Sequence, residues 1–226
     1  MTNDVTQADN ANRLLDRLDR LYVAVVSDIL DQLGYRSQVL APAIRPLFPE
    51  ARVVGYASTI ETIDVDRLPA RREDYYAMEL AAIDTLQPEQ VLVVSASSRG
   101  CFWGELLATA ARARGARGIV VDGYTRDCQG LISMGFPTFV SGIYAADGLG
   151  RIEVARYGER ISCGGVCVEQ GDLVIADFDG VVTIPAAVAA EVIQRAEEKV
   201  QGEDLVRVKL SDGMPVTEAF RRYGVM

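Results

Sequence analysis

An α/β fold is the class this sequence predicts, and three observations carry it. Two short continuous apolar runs, "VLVVSA" at 91–96 and "GIVVDG" at 118–123, have the character of strands buried on both faces. Each leads through a loop into a short helical pattern, the first rich in small residues, "GELLATAARARG" and "RDCQGLISMG". Beyond Ala145 the texture changes to β-rich segments bounded by glycine, and from Ala186 it becomes helical.

Taken in order, "ANRLLDRLDRLYVAVVSDILDQLG" places Leu14, Leu18, Leu21 and Val25 at helical spacing, which predicts one or two helices closing at Gly34. The proline-punctuated "APAIRPLFP" is a connector, and "ARVVGYASTIETI" a β-branched strand. A second amphipathic helix is expected near "REDYYAMELAAIDTL", with Pro88 as its stop. After the strand at 91–96, "SSRGCFWGELLATAARARG" reads as a loop entering a helix that ends at Gly115. The strand "GIVVDG", the turn and helix "RDCQGLISMG" and the strand "FPTFVSG" follow. Next come "RIEVARYG", "RISCGGVCV", "GDLVIADFDG" and "VVTIP" as short, largely antiparallel strands. The chain ends in a helical tail through "AEVIQRAEEKVQGEDLVRVKL" and "VTEAFRRYG". No internal repeat or low-complexity segment breaks the run, and 226 residues suit one domain, 1–226, with 49% hydrophobic residues to fill a core.

Composition removes whole classes of chemistry. A net charge of −9 and a pI near 4.7 leave no basic footprint for neutralising phosphates, so nucleic acid is not the expected partner. No apolar run approaches the roughly 20 residues that span a bilayer, and the polar start lacks a secretory signal, so a cytoplasmic protein without membrane contact is expected. Four irregularly spaced cysteines suit reduced thiols. The chain contains no histidine, which removes His-based triads, Cys-His pairs, imidazole bases and His-ligated metals. Its two lysines, Lys199 and Lys209, fall in the polar C-terminal region, where water rather than a desolvated Schiff-base pocket is expected. Catalysis must then use carboxylates, arginine, backbone amides, hydroxyls or an oxygen-bound metal.

The stretch 100–127 concentrates those groups. A helix starting near Gly104 leaves its first N–H groups unpaired at its positive end, where they form an anion pocket. The glycine spacing fits neither the dinucleotide nor the P-loop pattern, which favours a carboxylate over a pyrophosphate. Glu105 lies in the first turn and Arg126-Asp127 just past the next strand, so the three should meet on one rim. Each also has a plain alternative. Glu105 complements a helix dipole, Asp127 caps the following helix, and Arg126 pairs with a neighbouring acid. Together they suit a hard metal ion and a carboxylated carbonyl compound. Phe102 and Trp103 beside the loop wall the pocket or pack an interface. Asp177 and Asp179 are expected to shape a turn around Gly180.

The motifs "GELL" with "GARGIVVDGYTRD", "VSDILDQLG" with "IRPLFPEARVVG", and "GDLVIADFDGVVTIP" resemble the RraA-like family. That family includes class II 4-hydroxy-4-methyl-2-oxoglutarate/4-carboxy-4-hydroxy-2-oxoadipate aldolases and regulators of RNase E. The resemblance runs from about Leu21 to the C-terminus. It implies a β/β/α swivelling domain that forms homotrimers or homohexamers with active sites between subunits. The aldolases carry an acid, twenty residues, then Arg-Asp; here Glu105, residues 106–125, Arg126 and Asp127 match, with glutamate where aspartate is usual. By this resemblance Asp127 binds Mg²⁺ or Mn²⁺, and Glu105 holds a coordinated water. Arg126 faces the keto oxygen of a 2-oxo acid, and the Gly104–Leu107 segment receives its carboxylate through the Leu106 and Leu107 amides. An acid from a neighbouring subunit, Glu203 or else Glu198, holds another water. The implied reaction is metal-dependent retro-aldol cleavage of a 4-hydroxy-2-oxo acid to pyruvate, through a metal-stabilised enolate and with oxaloacetate decarboxylation as a side activity. The base is a metal-bound hydroxide or a water positioned by Glu105. The alternatives are a non-catalytic trimeric regulator that binds a ribonuclease or other protein, or a same-fold enzyme acting on another oxo acid or a sugar acid.

Overall fold

The computed structural model describes residues 14–95 and 99–224. The expected helical positions 11–13 and the last strand position, Ala96, lie outside them. The N-terminal pattern resolves into two helices, α1 at 14–18 and α2 at Val23–Gln32, with Gly34 at φ 89° closing the second.

A mixed sheet follows, built from β1 (Arg45–Pro46), β2 (Val53–Asp64), β3 (Gln90–Val94), β4 (Cys101–Trp103), β5 (Gly118–Thr125), β6 (Thr138–Ile143), β7 (Ile152–Tyr157), β10 (Leu173–Asp177) and β11 (Gly180–Ile184). Its order is β1-β6-β5-β3-β2-β10-β11, with β4 added to β5 and β7 to β2. Strands β2, β3, β5 and β6 run parallel, and β1, β7, β10 and β11 pair antiparallel. The sheet nearly closes on itself. Leu40 N donates to Val181 O at 3.0 Å, Thr183 N donates to Gln38 O at 3.0 Å, and Arg45 of β1 reaches Asp179 O beside β11 at 2.8 Å.

Alternation along the strands fills both sides of this sheet. Val91 and Val93 of β3 face an interior cluster with Val53, Ala57, Val120, Phe139, Val174 and Val181. The hairpin β8 (Ile161–Cys163) and β9 (Val166–Val168) adds Ile161, Cys163, Val166 and Val168 to the same cluster. The intervening Leu92 and Val94 point outward to a layer formed by α3 (Ala77–Asp84), α4 (Glu105–Ala113) and α5 (Cys128–Met134). Elsewhere on the outside, α1, α2 and the long α6 (Ala189–Ser211) cover Leu173, Ile175, Val182 and Ile184. α7 (Val216–Tyr223) follows as the last helix. This is the expected β/β/α architecture with its helical tail.

Three local expectations are corrected. The stretch 99–104 is not all loop, because Cys101–Trp103 pairs with β5 as a short parallel strand. The helix expected over 72–86 is split into a 3₁₀ turn at Arg72–Asp74 and α3, because Tyr76 takes a left-handed conformation between them. Lys199 is not a water-facing lysine, since its side chain is only 14% exposed and is ion-paired to both Asp28 and Glu203. Asp177 does shape the β10–β11 turn, accepting the Asp179 N–H at 2.9 Å, and also anchors the Val23 N–H at the start of α2.

Candidate active site

Two loops leaving the carboxyl ends of β4 and β5 meet as the sequence predicted, and backbone bonds tie them together. Trp103 O accepts both Arg126 N (3.0 Å) and Thr125 Oγ1 (3.1 Å). Asp127 then adopts φ 55°, ψ 34°, a left-handed conformation that a short polar side chain tolerates better than most. It occupies the N-cap position of α5 but makes no side-chain cap there. Its carboxylate crosses instead to α4, where Oδ2 accepts the Glu105 N–H at 3.3 Å. Gly104 makes room for this crossing, since a Cβ there would lie 2.6 Å from Asp127 Oδ2. The helical ladder of α4 begins with Ala108 N to Gly104 O at 3.1 Å, so the Leu106 and Leu107 amides remain at the helix start without ladder partners.

Arg126 stands between two acids. Its Nε lies 4.0 Å from Asp127 Oδ2, at the outer edge of an ion pair, and its Nη2 lies 3.5 Å from Asp147 Oδ1. Asp147 is delivered by a bridge between its backbone and Cys101, and Gly100 permits the close approach, as a Cβ there would sit 2.8 Å from Asp147 O. The other Asp147 oxygen accepts the Tyr76 hydroxyl at 2.6 Å. Burial and this carboxylate push the Tyr76 phenol up to about 12, so it stays a donor. The non-glycine residues with positive φ among the described residues are Tyr76, Glu89 and Asp127. Two of these, Tyr76 and Asp127, line this one cavity.

Around these groups lies a cavity of about 290 Å³, walled by Tyr76, Glu79, Leu80, Cys101–Gly104, Leu106, Leu107, Arg126, Asp127 and Asp147. Phe102 and Trp103 are both buried and contribute to the wall, and Trp103 Nε1 has no hydrogen-bond partner among the described residues. Burial pushes the Cys101 thiol up to about 11 and raises Cys128 as well, so neither cysteine is a ready thiolate.

The site residues expected from sequence are thus mostly assembled: Gly104, Leu106, Leu107, Arg126 and Asp127 share the cavity. Glu105 turns away from it. Its stem packs on Gly130, where a Cβ would meet Glu105 Cγ at 2.7 Å, and its Oε1 accepts Thr109 Oγ1 at 3.1 Å. Within one chain Glu203 is not brought to this cavity; it lies on α6, accepting the Tyr22 hydroxyl and pairing with Lys199. Glu198 accepts Gln194 Nε2 on the same helix. Sequence reading missed Tyr76, Glu79 and Asp147. The left-handed turn at Tyr76 and the backbone bridge at Asp147 have no signature in the chain.

Among the described residues no group of three or more His, Cys, Asp and Glu side chains is arranged to hold a metal ion. The donors present still fit Mg²⁺ or Mn²⁺, which favour hard oxygen ligands; Mg²⁺ in particular is commonly bound through one or two carboxylates with retained waters and substrate oxygens. Asp127 offers such a carboxylate, about half exposed, beside the open N-terminus of α4.

Comparison with known proteins places these features in a family. The family model described as "RraA-like: Aldolase/RraA" matches residues 23–183. A Halalkalibacterium halodurans protein named "Putative 4-hydroxy-4-methyl-2-oxoglutarate aldolase" is 33% identical over 202 residues, covering 86% of this chain and 87% of that protein. Protein DlpA of Legionella pneumophila is 29% identical over 224 residues; the match covers 97% of this chain but only 35% of DlpA. The crystal structure of Streptomyces coelicolor RraAS2, described as an unusual member of the RNase ES inhibitor RraA protein family, superposes with a TM-score of 0.78. It is 30% identical, and the match covers 87% of this chain and 98% of RraAS2. With the matched region spanning most of the sheet and both loops of the cavity, the chain belongs to the RraA-like family.

Proposed function

We propose that this protein is a divalent-metal-dependent lyase that cleaves a 4-hydroxy-2-oxo acid to pyruvate and a carbonyl product, and that also decarboxylates oxaloacetate. The observation that carries this reading is the placement of the Asp127 carboxylate and the Arg126 guanidinium beside the α4 N-terminus in one cavity. A regulator that only binds protein has no need of that pairing.

When bound at Asp127, Mg²⁺ or Mn²⁺ supplies Lewis-acid polarisation of the substrate's keto oxygen. Glu105, if it swings from Thr109 towards the cavity, and Glu203 of a neighbouring subunit would hold its waters. The substrate carboxylate binds the Leu106 and Leu107 amides, where the helix dipole favours an anion. Arg126, permanently charged, aims at the oxygen on which charge develops as the C–C bond breaks. Asp147 and Tyr76 hold that guanidinium in place. Leu80, Phe102 and Trp103 provide an apolar wall that limits water.

The chain is proposed to act as a homotrimer or homohexamer. Leu106, 80% exposed at the cavity mouth, together with exposed Ile143 and Phe178, supplies apolar surface for a neighbouring subunit to cover. The second reading, a non-catalytic regulator that binds a ribonuclease or another protein, draws on the likeness to RraAS2.

Purified protein, its oligomeric state measured by light scattering, is to be assayed with oxaloacetate and with 4-hydroxy-2-oxo acids, with Mg²⁺ or Mn²⁺ and then with chelator. Pyruvate release that requires the metal and disappears in folded Arg126→Ala and Asp127→Ala supports the lyase. Folded, metal-supplied protein that turns over none of these acids supports the regulator.

A further inference from the structure

Three carboxylates line the Arg126 cavity, a fourth, that of Glu105, lies beside it turned away, and three of the four have hydrogen-bond donors. Asp127 accepts the Glu105 N–H, Asp147 accepts the Tyr76 hydroxyl, and Glu105 accepts the Thr109 hydroxyl. Glu79, in the first turn of α3, does not. It lines the same cavity as Asp127, and among the described residues its carboxylate has no hydrogen bond or ion pair. The titratable and charged groups around it are Asp147, Arg126, Asp127, Tyr76 and Cys101 in this cavity, and Asp74 and Glu153 of β7 around a neighbouring cavity that it also lines. From α4 the apolar Leu106 and Leu107 line the same cavity. Burial, with a further push from Asp147 and an opposing pull from Arg126, raises the Glu79 carboxyl to about 8. A carboxyl that titrates near neutrality, free of fixed donors and facing the same space as the guanidinium, suits proton transfer.

We propose that Glu79 is the proton carrier of the lyase reaction: its carboxylate takes the C4 hydroxyl proton as the C3–C4 bond breaks, and the resulting acid returns that proton to C3 of the pyruvate enolate. The electron pair of the broken bond moves onto the C3–C2–O unit. The C4 oxygen keeps its own pair and becomes the carbonyl of the second product. Delivery of the proton to C3 makes the methyl group of pyruvate and restores the Glu79 carboxylate, so the cycle consumes no co-reactant. The proposal rests on the lyase reading, yet it separates two reactions that reading joins. Oxaloacetate loses CO₂ with its bonding pair left on C3, and that cleavage has no hydroxyl proton to remove.

The test compares wild type with Glu79→Gln and Glu79→Asp, each supplied with Mg²⁺ and checked for fold by circular dichroism. Two reactions are followed: disappearance of oxaloacetate, and exchange of the pyruvate methyl protons in D₂O by NMR. Wild type should do both, with exchange rising with pH towards a plateau above about 8. Glu79→Gln should lower exchange by roughly 100-fold or more, the scale of positioned acid–base catalysis, and oxaloacetate consumption by a clearly smaller factor, because CO₂ leaves without base help and the enolate can also take its proton from water. Glu79→Asp should recover part of the exchange. Exchange at the wild-type rate in folded Glu79→Gln overturns the proposal, as does parallel loss of both reactions, which would make Glu79 a binding or packing residue. A wild type inert in both assays instead removes the lyase reading itself, and this proposal with it.

Discussion

Gly104 is the position at which one methyl group should test the site most directly. Its backbone is extended (φ −159°, ψ 180°), a conformation open to any residue, so Gly104→Ala brings no backbone strain. The added Cβ would sit 2.6 Å from Asp127 Oδ2, whereas a carbon and an oxygen in ordinary contact stay about 3.3 Å apart. The carboxylate must therefore retreat by about 0.7 Å, which disturbs both the bond from Glu105 N and the ion pair with Arg126 at the same oxygen. Displacing a catalytic group by about 1 Å can cost on the order of 100-fold, so this shift should lower kcat/KM by roughly 10- to 100-fold, about 1.4–2.7 kcal/mol of transition-state stabilisation. Stability should fall by no more than about 1 kcal/mol, the worth of one exposed hydrogen bond. The assay is steady-state decarboxylation of oxaloacetate with Mg²⁺ beside thermal unfolding of the same preparation. Wild-type kcat/KM in Gly104→Ala would show that the position of Asp127 does not matter to the chemistry. A large drop in melting temperature would instead mark Gly104 as a folding residue.

Other outcomes follow from the same geometry. Arg126→Lys keeps the charge but loses the planar fork that spans Asp147 and the substrate, and steady-state kinetics should show kcat lower by roughly 100-fold in a folded protein. Asp147→Asn weakens the charge-assisted hold on the guanidinium, with about tenfold lower kcat/KM expected and rescue by Asp147→Glu absent, because the Tyr76 hydroxyl is set for the shorter side chain. Glu79, raised from 4.5 to about 8, binds a proton in the fold that it gives up on unfolding. Its contribution is full below about 4.5 and is lost as pH rises through about 8, so the melting temperature of wild type should fall relative to Glu79→Gln across that window. A constant difference between the two would contradict the assignment. Ile193→Ala, fully buried between α6 and the sheet, should cost about 2–5 kcal/mol by urea unfolding without touching the cavity.

Much of this architecture was legible because hydrophobic spacing records it. Val91–Val94 and Gly118–Val121 are apolar on consecutive positions because one set faces the interior cluster and the other the helical layer. The meeting of the 104–107 and 126–127 segments followed from both leaving the same ends of parallel neighbours. What the chain did not announce was set by tertiary contact. Cys101–Trp103 becomes a strand through pairing with β5, and Tyr76, where the helix is interrupted, donates its hydroxyl to a carboxylate distant in sequence. Asp127 had a local explanation as a cap for the helix after it, and the cap it makes is on the helix before it. That reversal, and the turn of Glu105 towards Thr109 and Gly130, depend on spatial neighbours that sequence spacing does not encode.

The double acceptance at the Trp103 carbonyl has a thermodynamic corollary. Because the segments bearing the guanidinium and the free amides are already fastened to one another, a ligand that docks there freezes little main chain. Association should accordingly be quick, with affinity governed by departure rates, and oxalate titrated calorimetrically should show a small entropic penalty instead of the signature of a segment folding around its guest.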